Sequence, residues 1–364
     1  MRSYFKIMKL LNLNHKMKIR NLIGLNAFLM LVIFTLYFAI APSPLDLVKI
    51  SGNRILVNNS PYFIKGVCYH PVSKGDTKRS FDFLDKDLAL MREAGINTIR
   101  LYEPVDDIAV LDKIEAAGIK LIIGFGYNQN GVFDIATGSY IDYIKKYKSH
   151  KSILMWELGN EYNYHPEWFD GDVKNWYTAL NTATHLIHLE DPNHPVSTAH
   201  GDVPEAQALA LNPNLDLWGL NVYRWDKPQS ALKKWKQISS KPVYFSEVGA
   251  DSYMKISKAG FEQGENQKAQ ATANANIVDA VLSHSHIASG LLIFSFADGL
   301  WKAGNPDKQD VGGSAPNSSG VPYDGAPNEE FWGIVDIKRN KKQTFNAIKD
   351  RFINFSINNK KPQE

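Results

Sequence analysis

The chain has 364 residues, 44% of them hydrophobic and 12% aromatic, enough to bury a large core and to form a barrel-sized domain in one piece. Its formal net charge is only +3, and so even a balance gives no electrostatic reason to expect a nucleic acid partner. A single cysteine, Cys68, excludes an intrachain disulfide and any multi-cysteine metal site, and its apolar setting "FIKGVCYH" reads as a buried structural thiol.

The chain opens on a basic segment, 1–21, with Arg2, Lys6, Lys9, Lys16, Lys18 and Arg20 and no acid. Residues 22–41, "LIGLNAFLMLVIFTLYFAIA", follow as a 20-residue stretch without a charge, the length of a membrane-spanning helix. Basic residues ahead of such a stretch predict a cytoplasmic N-terminus and an extracytoplasmic remainder anchored in the cell membrane. The rival reading is a cleaved signal peptide and a secreted protein. Ala39-Ile40-Ala41 resembles a cleavage site, but Pro42 would directly follow the cut, and the apolar run exceeds the usual h-region of roughly 7–15 residues. The expected order is therefore a cytoplasmic tail (1–21), an uncleaved anchor (22–41), a linker (42–48), a catalytic domain (49–356) and a polar tail (357–364).

"KISGNRILVNNSPYFIKGV" (49–67) holds two apolar runs around "NNSP", the pattern of a short β-hairpin. Apolar strand patterns then alternate with helical ones. The predicted strands are 64–69, 97–102, 119–125, 153–158, 195–199, 217–222, 242–247 and 290–296. They are short, continuous and rich in β-branched or aromatic residues, as strands buried on both faces should be. Helical patterns occupy 80–94, 105–117, 135–148, 172–189, 203–211, 229–237, 265–284 and 340–353, the one at 203–211 being short and weakly patterned. Eight strand–helix units predict a single (β/α)8 TIM barrel in the α/β class. Between the last strand and last helix lies a Gly-, Pro-, Asp- and Asn-rich loop, "ADGLWKAGNPDKQDVGGSAPNSSGVPYDGAPNEEFWG", of a length that in a compact domain is usually functional or disordered.

Active sites of such barrels form at the C-terminal ends of the strands. In chain order these ends offer Tyr69-His70; Arg100, Tyr102 and Glu103; Tyr127 and Asn128; Asn160-Glu161; His200 and Asp202; Asn221 and Tyr223; Glu247; Asp298 and Trp301. Carboxylates, amides and an arginine beside flat aromatic rings suit a carbohydrate, whose ring faces stack and whose hydroxyls take hydrogen bonds. Glycoside hydrolysis needs two carboxyl groups flanking one bond, one protonated and one ionised. Glu161 in "GNE" and Glu247 in "FSEVG" stand on opposed strands and meet that need. No cofactor is required. No His/Asp/Glu cluster with metal-ligand spacing is visible, and Asp307, Asp310, Asp324, Glu329 and Glu330 of the final loop read as a solvated rim rather than a calcium site. Trp156 reads as core, and Glu157 is left undecided.

"WELGNEY" and "PVYFSEVGAD" resemble the acid/base and nucleophile motifs of the retaining β-glycoside hydrolases of clan A, above all the barrels of families two and five. "NRILVNNSPYFIKGVCYHP", "INTIRLYEPV", "FADGLWK" and "FWGIVDIKRNKK" are similar to their opening, second-strand and closing segments, so the resemblance spans 49–353. "RLYEPVDDIAVLDKIEAAGIKLIIG" also resembles fungal-type β-1,3-glucanosyltransferases. The resemblance implies Glu161 as general acid/base and Glu247 as nucleophile. It implies Asn160 on the sugar 2-hydroxyl, Arg100 beside Glu247, and Tyr223 donating to Glu247. Trp301 would lie under the sugar, with His70, His200 and Tyr127 along the cleft. The retaining mechanism calls for carboxyl groups about 5–5.5 Å apart. The expected substrate is a β-linked glucan or related poly- or oligosaccharide. Two alternatives stay open: transglycosylation by the same residues, and a non-catalytic carbohydrate-binding protein on a barrel scaffold.

Overall fold

The protein is described by a computed structural model that covers residues 46–126, 134–311 and 328–358. The chain begins with three short antiparallel strands, β1 (Val48–Ser51), β2 (Arg54–Val57) and β3 (Ser60–Tyr62). The predicted hairpin is there, between β2 and β3. Its turn is Asn58-Asn59, with φ of 52° and 62°, and two successive left-handed residues make the tight turn that matches strand twist. A further turn at Gly52 splits the first apolar run in two, so the hairpin becomes a three-stranded meander. Val48 and Ile55 of this sheet pack with Ile122, Leu154, Leu217 and Leu292, and so plug the N-terminal end of the barrel.

Eight parallel strands then close on themselves: β4 (Ile64–Cys68), β5 (Thr98–Leu101), β6 (Lys120–Phe125), β7 (Ile153–Asn160), β8 (Val196–Gly201), β9 (Trp218–Asn221), β10 (Val243–Val248) and β13 (Ala288–Ile293). Each pairs with its sequence neighbour in the barrel, and β13 returns to β4 with Leu292 opposite Gly66. The space between strands and helices forms the main core, with Trp156, Trp176, Trp218 and Trp235 inside it. Trp156 is core, as its apolar context suggests, and its indole N–H donates to Asp191 at 2.8 Å.

The helices are α1 (Leu84–Glu93), α2 (Ile108–Ala116), α3 (Asp134–Thr137), α4 (Ser139–Tyr147), α5 (Val173–Glu190), α6 (Ala206–Leu211), α7 (Gln229–Ile238), α8 (Gln267–Ser283) and α9 (Gln343–Asn358). Asp107 and Asp172 cap α2 and α5 by accepting from backbone N–H groups. The single helix expected over 135–148 is broken at Gly138, whose φ is +75°. A two-residue hairpin, β11 (Tyr253–Met254) with β12 (Gly264–Glu265), sits between β10 and α8 and carried no sequence signal. The first described strand begins at Val48 and the last helix runs to Asn358.

One part of the expected fold class is corrected. Among the described residues no helix is long and apolar enough to cross a membrane. The anchor at 22–41, and with it the cytoplasmic tail, lie outside the described residues, so a membrane-spanning helix forms no part of the fold described for this chain.

Asp298, grouped by sequence with the strand-end polar residues, is instead structural. Its carboxylate is buried, 2.9 Å from the buried Lys342 ammonium and accepting from the Gly333 N–H at 2.8 Å, and so ties the loop after β13 to the start of α9. Removing one partner of a buried pair strands the other charge in the interior. Asp298→Ala is therefore expected to lower unfolding stability by about 3–5 kcal/mol, read from urea denaturation. A loss below about 1 kcal/mol, the size of a surface pair, would show that the site is wet.

Candidate active site

Successive side chains of a strand point to opposite faces, so Asn160 and Glu161 could not both reach one cleft from a regular strand. The structure resolves this with a bulge. β7 faces β8 with Glu157 opposite Ser197, yet Asn160 lies opposite Ala199, so β7 carries one extra residue. Gly159 takes φ +72° within it, and a Cβ there would stand 2.7 Å from the Trp176 ring. Glu161 follows in the left-handed region at φ 56°, uncommon for a residue with a side chain. β10 shows the same device. Phe245 pairs with Leu220 but Glu247 with Asn221, leaving Ser246 as the extra residue. Bulges re-aim side chains at barrel rims, and here both glutamates stand just past one.

Arg100 on β5 is the centre of the polar network and is fully buried. Its Nε donates to Glu157 Oε1 at 2.7 Å, Nη1 to Glu247 Oε1 at 2.8 Å, and Nη2 to Asn160 Oδ1 at 2.8 Å. The Tyr102 ring lies 4.4 Å from the guanidinium carbon, and its hydroxyl donates to Glu247 Oε1 at 2.8 Å. Tyr223 donates to Glu247 Oε2 at 2.5 Å. Glu247 thus accepts from one cation and two phenols, an environment of short charge-assisted bonds.

Glu161 is surrounded differently. It accepts from Asn221 Nδ2 at 3.0 Å. Burial pushes its carboxyl up to about 7, with the charge of Glu247 adding to the rise. Asn221 is itself fixed, since Ser246 donates to its Oδ1 at 2.7 Å and its Nδ2 also reaches Asn160 Oδ1 at 3.1 Å. Glu157, undecided from sequence, is held by Arg100 and by Tyr244, which donates to Oε2 at 2.6 Å. Burial raises its carboxyl against the pull of both partners.

Arg100, Tyr102, Glu157, Asn160, Glu161, Asn221, Tyr223 and Glu247 line a cavity of about 720 Å³. Of the residues expected there, Glu161, Glu247, Asn160, Arg100, Tyr223, Trp301 and His70 all line it. The His70 ring lies 4.9 Å from Trp301 and edge-on to Tyr102, and burial pulls it down to about 3, so it stays neutral. His200 is not among the lining residues. Tyr177 and the Asp202 carbonyl engage its two ring nitrogens at 3.0 Å each, which makes it a packed histidine of the β8 end. Tyr127 lies outside the described residues. Cys68 lines the cavity floor as a thiol that burial pushes up to about 12 and that donates to the Ser246 carbonyl, too high for a nucleophile at neutral pH.

Tyr102 directly follows β5 and Asn221 ends β9, so a strand-end position is the signal the sequence offers for both. Tyr164, His165, Trp168, Arg224, Lys302, Glu329 and Trp332 also line the cavity. They come from loops, where no periodicity marks them.

A parallel barrel with two glutamates and an arginine at its C-terminal rim has the form expected of a clan A barrel. A family model, "Glycosyl hydrolases family 2, TIM barrel domain", matches residues 48–270, more than half of the chain. The chain belongs to this family. It is 26% identical over 244 residues to the 1,3-beta-glucanosyltransferase GAS4 of Saccharomyces cerevisiae, covering 54% of this chain and 50% of that protein. It is 26% identical over 282 residues to the beta-glucuronidase of Mus musculus, covering 71% and 42%. Among solved structures, a GH2 beta-galacturonidase from Eisenbergiella tayi superposes with a TM-score of 0.63 at 22% identity, covering 85% of this chain and 54% of that one; a likeness at that identity is one of fold. The chain spans about half or less of the length of these curated relatives.

Because burial is the larger cause and Glu247 the second, Glu247→Gln should lower the Glu161 midpoint from about 7 without returning it to an ordinary carboxyl value. Carbon-detected NMR titration reads this directly. The same rise sets a stability slope. The folded carboxyl holds its proton above the unfolded value, so its contribution is fully present below that value and is lost as pH rises through about 7. Glu161→Gln should therefore raise Tm at pH 8, with the gain vanishing below about pH 4, where folded and unfolded carboxyls are both protonated.

Proposed function

We propose that the chain cleaves a β-glycosidic bond with retention at the anomeric carbon, Glu161 serving as acid/base and Glu247 as nucleophile. The observation that carries this reading is the contrast between the two carboxyls. Glu161 is buried and pushed up to about 7, whereas Glu247 accepts from a guanidinium and two phenols. Environments that separate two carboxyls in this way assign acid and base roles.

Glu161 gives its proton to the glycosidic oxygen as the bond to the anomeric carbon breaks. Glu247 forms an ester with that carbon, and the departing portion leaves as an alcohol. The charge on Glu247 is then gone, which removes the second cause of the Glu161 rise. Glu161, now ionised, takes a proton from water or from a sugar hydroxyl that attacks the same carbon, and Glu247 leaves as carboxylate. Asn160 accepts from both Arg100 and Asn221 through its Oδ1, which commits its NH2 to the cavity side for a substrate hydroxyl.

A neutral β-linked glucan or gluco-oligosaccharide is the favoured substrate class. Among the described lining residues every cation is matched by an acid: Arg100 by Glu157 and Glu247, Arg224 by Asp202, Lys302 by Glu329. A uronate carboxylate would enter without a free cation to meet it, and an unpaired buried charge is costly. The likeness to a glucanosyltransferase keeps transfer to a sugar acceptor beside hydrolysis.

Glu247→Gln should reduce kcat by on the order of 10⁴-fold or more on every substrate. Glu161→Gln should be similarly slow on gluco-oligosaccharides but far less impaired in the first step with a dinitrophenyl leaving group, which needs no proton. Stopped-flow release of the phenolate separates the two. Equal losses for both variants on both substrates would remove the assigned roles. In a panel of β-glucosides, β-mannosides, β-galactosides and β-glucuronides, kcat/KM for the neutral gluco-substrate should exceed that for the glucuronide by about tenfold or more; the reverse order would favour a uronidase.

A further inference from the structure

Glu157 is the carboxylate for which the reaction has no direct task. It stands inside β7, ahead of the bulge that aims Glu161, and is buried. Its Oε1 accepts from Arg100 Nε at 2.7 Å and its Oε2 from the Tyr244 hydroxyl at 2.6 Å. Tyr244, on β10, shares a further hydrogen bond with Ser197 of β8 at 2.9 Å. Arg100, Tyr244 and Ser197 are buried as well, and Tyr244 packs with Leu154, Met155 and Leu217 in the apolar interior of the barrel. A carboxylate in such a place costs free energy that its bonds must offset, and Arg100 already has Glu247 as a partner at 2.8 Å.

Charge balance gives Glu157 a purpose. Before attack, the Arg100 guanidinium faces two carboxylates, Glu157 and Glu247. The attack joins a Glu247 oxygen to the anomeric carbon, and the bond to the leaving oxygen breaks with its electron pair going to that oxygen. The ester so formed is neutral. Among the described residues, Glu157 is then the one carboxylate still bonded to Arg100. Without that charge the same step would strand a buried guanidinium, which is strongly unfavourable. Breakdown has the opposite sign. Water attacks the anomeric carbon, its proton passes to Glu161, and Glu247 leaves as a carboxylate, which restores a partner to Arg100. An uncompensated Arg100 therefore opposes formation of the ester and favours its loss.

We propose that Glu157, acting through Arg100, is the positioning residue that sets the balance between formation and breakdown of the glycosyl-enzyme, its charge allowing Glu247 to give up its own. This rests on the assignment of Glu247 as nucleophile. Tyr244 is part of the device. Its hydrogen bond favours the ionised form of Glu157, as does Arg100, against burial and the neighbouring charge of Glu247.

The test uses the full chain and a dinitrophenyl β-glucoside, whose leaving group needs no proton. With it kcat/KM reports formation of the glycosyl-enzyme, and a burst of phenolate reports its accumulation. Glu157→Gln keeps the shape and can still accept from Arg100, while the introduced amide N–H can donate to the Tyr244 oxygen, so the charge is what changes. For this variant kcat/KM should fall by about tenfold or more. The value of kcat should fall far less, KM should rise, and the burst should shrink as the intermediate ceases to accumulate. Reactivation of protein labelled with a 2-deoxy-2-fluoro β-glucosyl donor should be as fast as for the unsubstituted protein, or faster. Tyr244→Phe leaves the carboxylate in place and decides the matter where the first variant does not fold. It removes a bond that favours the ionised form, so it should move the acid limb of kcat/KM to higher pH. Equal losses in kcat/KM and in reactivation, or a Tyr244→Phe acid limb that stays put, overturn the proposal and leave Glu157 a structural partner of Arg100 while the two-carboxylate chemistry stands. An unsubstituted protein that gives neither burst nor label overturns that chemistry, and the proposal with it.

Discussion

The site depends on one buried guanidinium. Arg100 is fully enclosed, and a charge removed from water is tolerated only where partners replace its hydration. Its three nitrogens reach two other strands, with Glu157 and Asn160 on β7 and Glu247 on β10. Two carboxylates for one cation look excessive until the reaction is considered. In the proposed reaction Glu247 becomes an ester and its charge disappears, and Glu157, bonded at Nε and held by Tyr244, would still balance Arg100. On that proposal the second carboxylate would keep the buried cation compensated through the covalent intermediate, so the network need not rearrange during turnover.

Around that fixed point the barrel supplies geometry through two irregularities. A regular (β/α)8 frame sets strand ends on a ring, but regular strands alternate their side chains. The extra residue in β7 lets Glu157 serve the interior while Asn160 and Glu161 serve the cleft. The extra residue in β10 frees Ser246 to orient Asn221, which in turn positions Glu161. The two glutamates are thus coupled by a short chain of hydrogen bonds that runs from Glu161 through Asn221, Asn160 and Arg100 to Glu247, as well as by their charges.

Much of this was legible from the chain. Continuous apolar runs gave all eight barrel strands, because parallel strands covered on both faces leave an uninterrupted pattern. Glu161 and Glu247 were legible as a pair because barrel chemistry gathers at strand ends. What was illegible follows from physics that leaves no periodic trace. A bulge shifts register by one residue without altering composition, so the split duties of Glu157 and Asn160 were hidden. His200 has the strand-end position of a cleft residue, but Tyr177 and a backbone carbonyl occupy both its nitrogens. Asp298 has the strand-end position of a cleft residue, but it is the partner of Lys342, 44 residues later. Loop residues such as Trp168 reach the cleft by tertiary placement alone.

The central claim is that Glu247 carries the sugar in a covalent intermediate while Glu161 manages protons. The most direct measurement is trapping with a 2-deoxy-2-fluoro β-glucosyl donor, which slows release of the intermediate, followed by peptide mass mapping. The account predicts one label per chain, on the peptide containing Glu247, lost in Glu247→Gln. A label on another residue would contradict it, as would a product released with inverted anomeric configuration and no label.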